Sequence, residues 1–176
     1  MRVVRGKNKR MVVLQNKISK QSVAALPKVN FEGRIFVVNT EAEARKAISY
    51  LNTHSIVGVD TETRPSFKKG TTHKVALLQI SSEEHCFLFR LNLTGLTLPV
   101  ITLLETPAVT KVGLSLRDDF MMLHKRAPFE QRGCIELQEY VRTFGILDRS
   151  LQRYMPSFSE KRFQRASACP TGKPMC

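Results

Sequence analysis

The segment SIVGVDTETRPSF, residues 55–67, constrains the fold more than any other. It opens as an apolar run with Ile56, Val57 and Val59, then presents Asp60 and Glu62 with one residue between them, and Arg64-Pro65 breaks the pattern. On a strand, residues i and i+2 point to the same side. Asp60 and Glu62 are therefore expected to aim at one place, at the carboxyl end of a hydrophobic strand. Two like charges held together and partly desolvated cost several kcal/mol unless a cation sits between them. A hard divalent metal with oxygen ligands is the natural partner. The plainer alternative ends the strand at Val59 and makes DTETRPS a solvated turn, with Arg64 pairing Glu62.

A chain of 176 residues is long enough for one domain with a real core. No apolar run approaches the roughly 18 residues of a membrane span: LTLPVITLL is short and contains Pro99, and MVVL is too short for a signal-peptide core. These features lead to the expectation of a cytoplasmic protein. Cys86, Cys134, Cys169 and Cys176 form no C-x-x-C pair, so buried reduced thiols are expected rather than a zinc site. The formal net charge is +13, and Arg2, Arg5, Lys7, Lys9 and Arg10 stand in the first ten positions with no acid among them. A basic chain fits a polyanionic partner, most simply nucleic acid.

Residues 1–29 show little periodicity and read as an extension over the surface, with a short helix in ISKQSVAALP that stops before Pro27. RIFVV (34–38) reads as a strand. Thr40 is placed to cap a helix with Glu41 and Glu43 in its first turn and Ala44, Ala47, Ile48 and Leu51 on one apolar face. VALLQIS (75–81) and HCFLFRL (85–91) read as an antiparallel hairpin. LPVITLLE reads as a helix, TKVGL as a short buried strand, and LRDDFMMLHKR as a helix with Leu116, Phe120 and Leu123 facing inward. IELQEYVRTFG is expected to be a further helix ending at Gly145, and Ser150 to cap a last one, LQRYM. This order predicts an α/β fold with a mixed sheet. From about Met155 the chain loses period, carries scattered charges and prolines, and is expected to pack poorly.

A second acidic pair, Asp118 and Asp119, opens the LRDDFMML helix directly after a short strand. Acids in a first turn are ordinarily dipole partners, yet one beside a sheet end can also reach a metal held by the neighbouring strand. Taken together, VGVDTET, VALLQI and KVGLSLRDDFMML resemble the ribonuclease D-like 3′–5′ exonucleases, which include the exonuclease domain of the Werner-syndrome helicase. The resemblance covers roughly residues 30–154. It implies the DEDD group, on a ribonuclease-H-like mixed sheet flanked by helices, incomplete here at the C-terminus, with residues 155–176 as a tail outside the family pattern. Asp60 and Glu62 match the motif that binds the metal pair. Gly113 and Asp119 match the second motif, with Asp119 rather than Asp118 as the metal-side acid, and Gln79 matches a supporting glutamine.

The resemblance implies hydrolysis of nucleic acid from its 3′ end. Two Mg²⁺ or Mn²⁺ ions about 4 Å apart activate the water and stabilise the leaving oxygen. The family's third motif, Tyr-x-x-x-Asp, supplies a further metal ligand and a tyrosine that helps orient the water. No Tyr in this chain precedes an Asp by four, so one ion is expected to bind well and activity to be impaired. With permitted codons, a two-base shift of SEKRFQRASACPTGKPM can read Gly-Glu-Lys-Ile-Ser-Lys-Ser-Gln-Arg-Leu-Ser-Asn-Trp-Glu-Ala-Asp, in the family's style. The tail is accordingly expected to be an out-of-frame extension, with a natural lineage-specific tail as the alternative. Thr61, Phe67, Lys68, Lys69 and Lys74 are candidate nucleic-acid contacts, Phe67 by stacking and the lysines through phosphates, with a solvated loop and Phe67 tucked into the core as the alternative. The competing function is a nucleic-acid-binding module that keeps the fold without the chemistry. A basic structural protein ranks last, because it leaves the carboxylates unexplained.

Overall fold

The computed structural model describes residues 2–5, 11–14, 19–64, 73–147 and 162–163. The chain divides into two compact units, one of residues 1–31 and 141–176, the other of residues 32–140. The first unit contains an antiparallel hairpin of β1 (Arg2–Arg5) and β2 (Met11–Leu14), where only irregular chain was expected. Helix α1 (Lys20–Ala25) follows, with the Ser19 hydroxyl accepting from the Ser22 N–H at 3.0 Å. Strand β3 (Lys28–Val29) pairs in parallel with Arg162–Phe163, the last described strand, β10.

The second unit holds the sheet. Its elements run β4 (Arg34–Val38), α2 (Glu41–Leu51), β5 (Ile56–Thr63), β6 (Val75–Ser81), β7 (His85–Arg90), α3 (Leu91–Thr94), α4 (Leu98–Glu105), β8 (Thr110–Gly113), α5 (Leu116–His124), β9 (Cys134–Glu136) and α6 (Leu137–Arg142), the last of these crossing the boundary at residue 140. The six strands lie in the order β4-β7-β6-β5-β8-β9. β5, β6 and β7 form the antiparallel meander, while β8 joins β5, β9 joins β8 and β4 joins β7 in parallel. This is the mixed α/β sheet that the sequence predicts.

Local chemistry explains the main boundaries. At the start of α2, Thr40 Oγ1 accepts from the Glu43 N–H at 3.3 Å, and Glu43 Oε2 accepts from the N–H groups of Asn39 and Thr40 at 2.8 and 3.0 Å. This capping box satisfies donors that the helix itself leaves unpaired. Ala44, Ala47, Ile48 and Leu51 are all buried, as their spacing predicts. They meet Val57, Val59, Leu78, Ile80, Phe87 and Phe89 from the strands, and Val100, Leu103, Leu116, Phe120 and Leu123 from α4 and α5, in one core. Helices thus cover one face of the sheet.

Two expectations are corrected. IELQEYVRTFG is not one helix: Cys134–Glu136 is a strand, α6 begins at Leu137, and the helix ends at Arg142, ahead of a turn through Gly145 at φ 79°. The parallel ladder with β8 captures Ile135 and Glu136, a non-local pairing that outweighs helical period. The strand reading through Glu62 holds rather than the alternative turn, because β5 continues to Thr63. Of the cysteines, Cys86 is buried but Cys134 is exposed. Among the described residues, no helix is long and apolar enough to cross a membrane. The LQRYM helix and its Ser150 cap, and all of the tail from Met155 except Arg162–Phe163, lie outside the described residues.

Candidate active site

The site begins where β5 outruns its parallel neighbour. β8 pairs with β5 only from Ile56 to Gly58, whereas β6 continues beside it, with Asp60 opposite Gln79, Thr61 opposite Leu78 and Glu62 opposite Leu77. Carboxyl ends of strands at such a step are where open α/β sheets place their functional groups. Period two puts Thr61 on the helix-covered face with Val57 and Val59, and Asp60 and Glu62 on the other.

Gly113 lets α5 reach this step. A Cβ there would press into the Leu116 side chain and come within 2.5 Å of the Val59 carbonyl oxygen. Only glycine permits that approach of helix start to strand backbone. Ser115 then turns the chain in the left-handed region (φ 60°, ψ 31°), and α5 starts with Asp118 and Asp119 in its first turn.

Asp119 points back at β5. Thr61 Oγ1 donates to Asp119 Oδ1 at 2.5 Å. The other carboxylate oxygen, Oδ2, is buried and has no hydrogen-bond partner among the described residues. Burial pushes the Asp119 carboxyl up to about 6. The Thr61 hydrogen bond opposes that rise, and the charges of Asp60, Asp118 and Glu136 add to it. A half-buried carboxylate with one oxygen unsatisfied and an acidic neighbour suits a cation.

The three sequence-predicted acids do not form one cluster. Among the described residues, no three His, Cys, Asp or Glu side chains lie close enough to hold an ion together. Asp60 and Asp119 are electrostatic neighbours. Glu62 is exposed and stands two residues further along β5. Asp119 meets β5 at Thr61, while period two places Glu62 with Asp60 on the other side of the strand. Thr61, expected to touch nucleic acid, has its hydroxyl on Asp119. Lys74 is exposed just ahead of β6. Phe67, Lys68 and Lys69 lie outside the described residues.

One residue at the site was missed. Glu136, at the end of β9, accepts from the backbone N–H of Ser115 and of Leu116 at 3.0 and 2.8 Å. Its position inside an apparent helix, IELQEY, hid it. The signal that could have found it is the β-favouring Cys134-Ile135 directly after Gly133, which has φ 61°.

A family model described as 3′–5′ exonuclease matches residues 35–159. The chain belongs to the 3′–5′ exonuclease family. The match takes in β4 through α6 and every acid named above. Among curated relatives, this chain is 32% identical over 109 residues to a 3′–5′ exonuclease of Arabidopsis thaliana, covering 55% of the chain and 38% of the relative. It is 33% identical over 90 residues to the exonuclease mut-7 homolog of Homo sapiens, covering 44% of the chain and 10% of the relative. The chain therefore spans well under half the length of either. Its fold is shared with Escherichia coli RNase D, an exoribonuclease involved in structured RNA processing, at TM-score 0.65 and 14% identity over 78% of this chain and 36% of that one. The EXD2 exonuclease domain soaked in Mg and GMP also shares the fold, at TM-score 0.56 and 24% identity over 63% and 60% of the two chains.

Proposed function

We propose that this exonuclease chain binds the 3′ end of a nucleic acid strand at the carboxyl end of β5, and that Asp60 and Asp119 hold a divalent cation there. The observation that carries the proposal is the buried, unpartnered Asp119 Oδ2 beside Asp60. The donor set fits: all oxygen, anionic, and partly withdrawn from water, as Mg²⁺ and Mn²⁺ prefer. Two carboxylates suffice for such an ion when waters and a substrate phosphate complete its shell. The Mg soak of the EXD2 exonuclease domain supports this choice of ion, and the RNA processing by Escherichia coli RNase D supports a nucleic acid substrate.

A bound Mg²⁺ or Mn²⁺ supplies charge neutralisation at the scissile phosphate and a water acidic enough to attack it. The chain's own residues do the rest. Thr61 fixes the Asp119 carboxylate so that Oδ2 is the oxygen left for the ion. Glu62, on the Asp60 side of the strand, is the candidate ligand for a second ion. Lys74, with Lys68 and Lys69, holds phosphates without reading bases, and Phe67 stacks on the terminal base.

Within these 176 residues no Tyr-x-x-x-Asp occurs, so the chain by itself is proposed to hydrolyse slowly. Electrostatic and positioning contributions of that kind are worth roughly 10²–10³ each, and they need not multiply. The same lack, together with the unclustered acids, favours as second reading a nucleic-acid-binding module without chemistry. A 3′-labelled single strand with Mn²⁺ separates the two. Slow release of 3′ mononucleotides that Asp60→Ala abolishes supports the exonuclease. Tight binding with no cleavage above the Asp60→Ala background supports the module and refutes the exonuclease reading for this chain.

A further inference from the structure

Asp119 acts only if α5 starts in the right place, and the start of α5 is not held by its own residues. Ser115 is the N-cap, yet its side chain makes no cap hydrogen bond. It also adopts the left-handed conformation that non-glycine residues avoid. Glu136 supplies what Ser115 lacks. Its two carboxylate oxygens accept separately from the Ser115 N–H at 3.0 Å and the Leu116 N–H at 2.8 Å, and Oε1 also accepts from the Gln138 N–H at 3.1 Å. Gln138 Nε2 in turn donates to Ser115 Oγ at 3.4 Å.

The hold passes directly to the acid. The Ser115 carbonyl accepts from the backbone N–H of Asp118 at 2.9 Å and of Asp119 at 3.3 Å. Glu136 itself is fixed by the β8–β9 ladder, in which it stands opposite Gly113, the residue that lets α5 approach β5. From β9 to Asp119 there is thus an unbroken sequence: carboxylate to the Leu116 N–H, the Ser115–Leu116 peptide unit, Ser115 carbonyl to the Asp119 N–H.

We infer that Glu136 is a positioning residue for the metal site: by bridging the N–H groups of Ser115 and Leu116 it sets the left-handed turn from which Asp119 reaches Asp60. The inference rests on the reading of Asp60 and Asp119 as cation ligands. Glutamine at 136 keeps one acceptor oxygen and presents an amide to the second N–H, so the bridge is lost with little change in volume.

The test is Mn²⁺ binding, followed by electron paramagnetic resonance of the free ion, with thermal unfolding measured alongside. Glu136→Gln is expected to weaken Mn²⁺ about 10–100-fold, the range found when a group that orients a metal ligand is removed. Ser115→Gly, which makes the left-handed turn easy for the backbone, is expected to restore most of that affinity in the double variant. A merely structural role lowers the unfolding temperature but leaves the Mn²⁺ midpoint of the folded protein where it was. That unchanged midpoint overturns the inference, as does a double variant no better than Glu136→Gln. If Glu136→Gln does not fold, the double variant decides alone: affinity near that of the unaltered chain supports the inference, and weak affinity overturns it. Asp119→Asn is the control. Loss of Mn²⁺ in Asp119→Asn with none in Glu136→Gln removes Glu136 only, whereas retention in Asp119→Asn removes the metal-site reading and the inference with it.

Discussion

The two faces of the sheet differ sharply. On the face that carries Val57, Val59 and Thr61, helices α2, α4 and α5 bury the strands, and Phe89, Leu78 and Ile80 are 0% exposed. On the face that carries Asp60 and Glu62, Ile35, Val37 and Ile56 remain 59%, 52% and 60% exposed. The acids divide along the same line. Asp119 belongs to the packed side, where burial raises its pKa and leaves an oxygen unsatisfied. Asp60 and Glu62 belong to the open side, and Asp60 is in electrostatic reach of Asp119. On the proposed reading, burial singles out Asp119 as the carboxylate with an oxygen to offer a cation.

Packing substitutions give the largest expected contrast. Phe89→Ala on the covered face should cost about 3–5 kcal/mol, whereas Ile35→Ser on the open face should change stability by no more than about 0.5 kcal/mol. Urea unfolding of the two variants checks this, and equal losses would erase the distinction between the faces. Next, Gly113→Ala should cost about 1–3 kcal/mol as an overpacked contact and also weaken Mn²⁺ binding, because the added carbon presses on the Val59 carbonyl and on Leu116, the first residue of α5. Calorimetry with and without Mn²⁺ reads both effects.

The pH dependence is smaller and has a definite sign. Asp119 ionises at about 6 in the folded chain against an ordinary value of 3.8. Between those values the folded chain keeps a proton that the unfolded chain has released, so the contribution of Asp119 to stability falls as pH rises from about 4 to about 6. A divalent cation competes with that proton, so stabilisation by Mn²⁺ should grow over the same interval. Unfolding temperatures at pH 4.5 and 7, with and without Mn²⁺, decide it, and Asp119→Asn should flatten the trend. The smallest effect is at Lys74: Lys74→Ala should make the salt dependence of single-strand binding shallower by about 0.7 in log–log slope, one phosphate contact.

Much of the covered face was legible in the sequence. The capping box at Thr40 and Glu43, the inward spacing of Leu116, Phe120 and Leu123, and the alternation through VDTE all arise from neighbours a few residues apart. Asp119 was also legible, as the acid six residues after Gly113. The geometry that joins these parts was not. A three-residue strand such as Cys134–Glu136 is too short to show a period, and its parallel register against β8 is a long-range fact. The left-handed Ser115 bears no mark in the sequence, since neither Gly nor Asn stands there. Glu136 could only be found once both were known. The bond from Thr61 to Asp119 was hidden for a related reason: period two fixes which residues share a strand face, but not from which layer a helical acid approaches.

The most direct measurement is a Mn²⁺ titration of the chain beside Asp119→Asn and Glu62→Gln, all at pH 7. The account predicts that the tightest Mn²⁺ site is lost in Asp119→Asn and kept in Glu62→Gln, because Asp119 is the acid paired with Asp60. Loss of that site in Glu62→Gln with full retention in Asp119→Asn would contradict it.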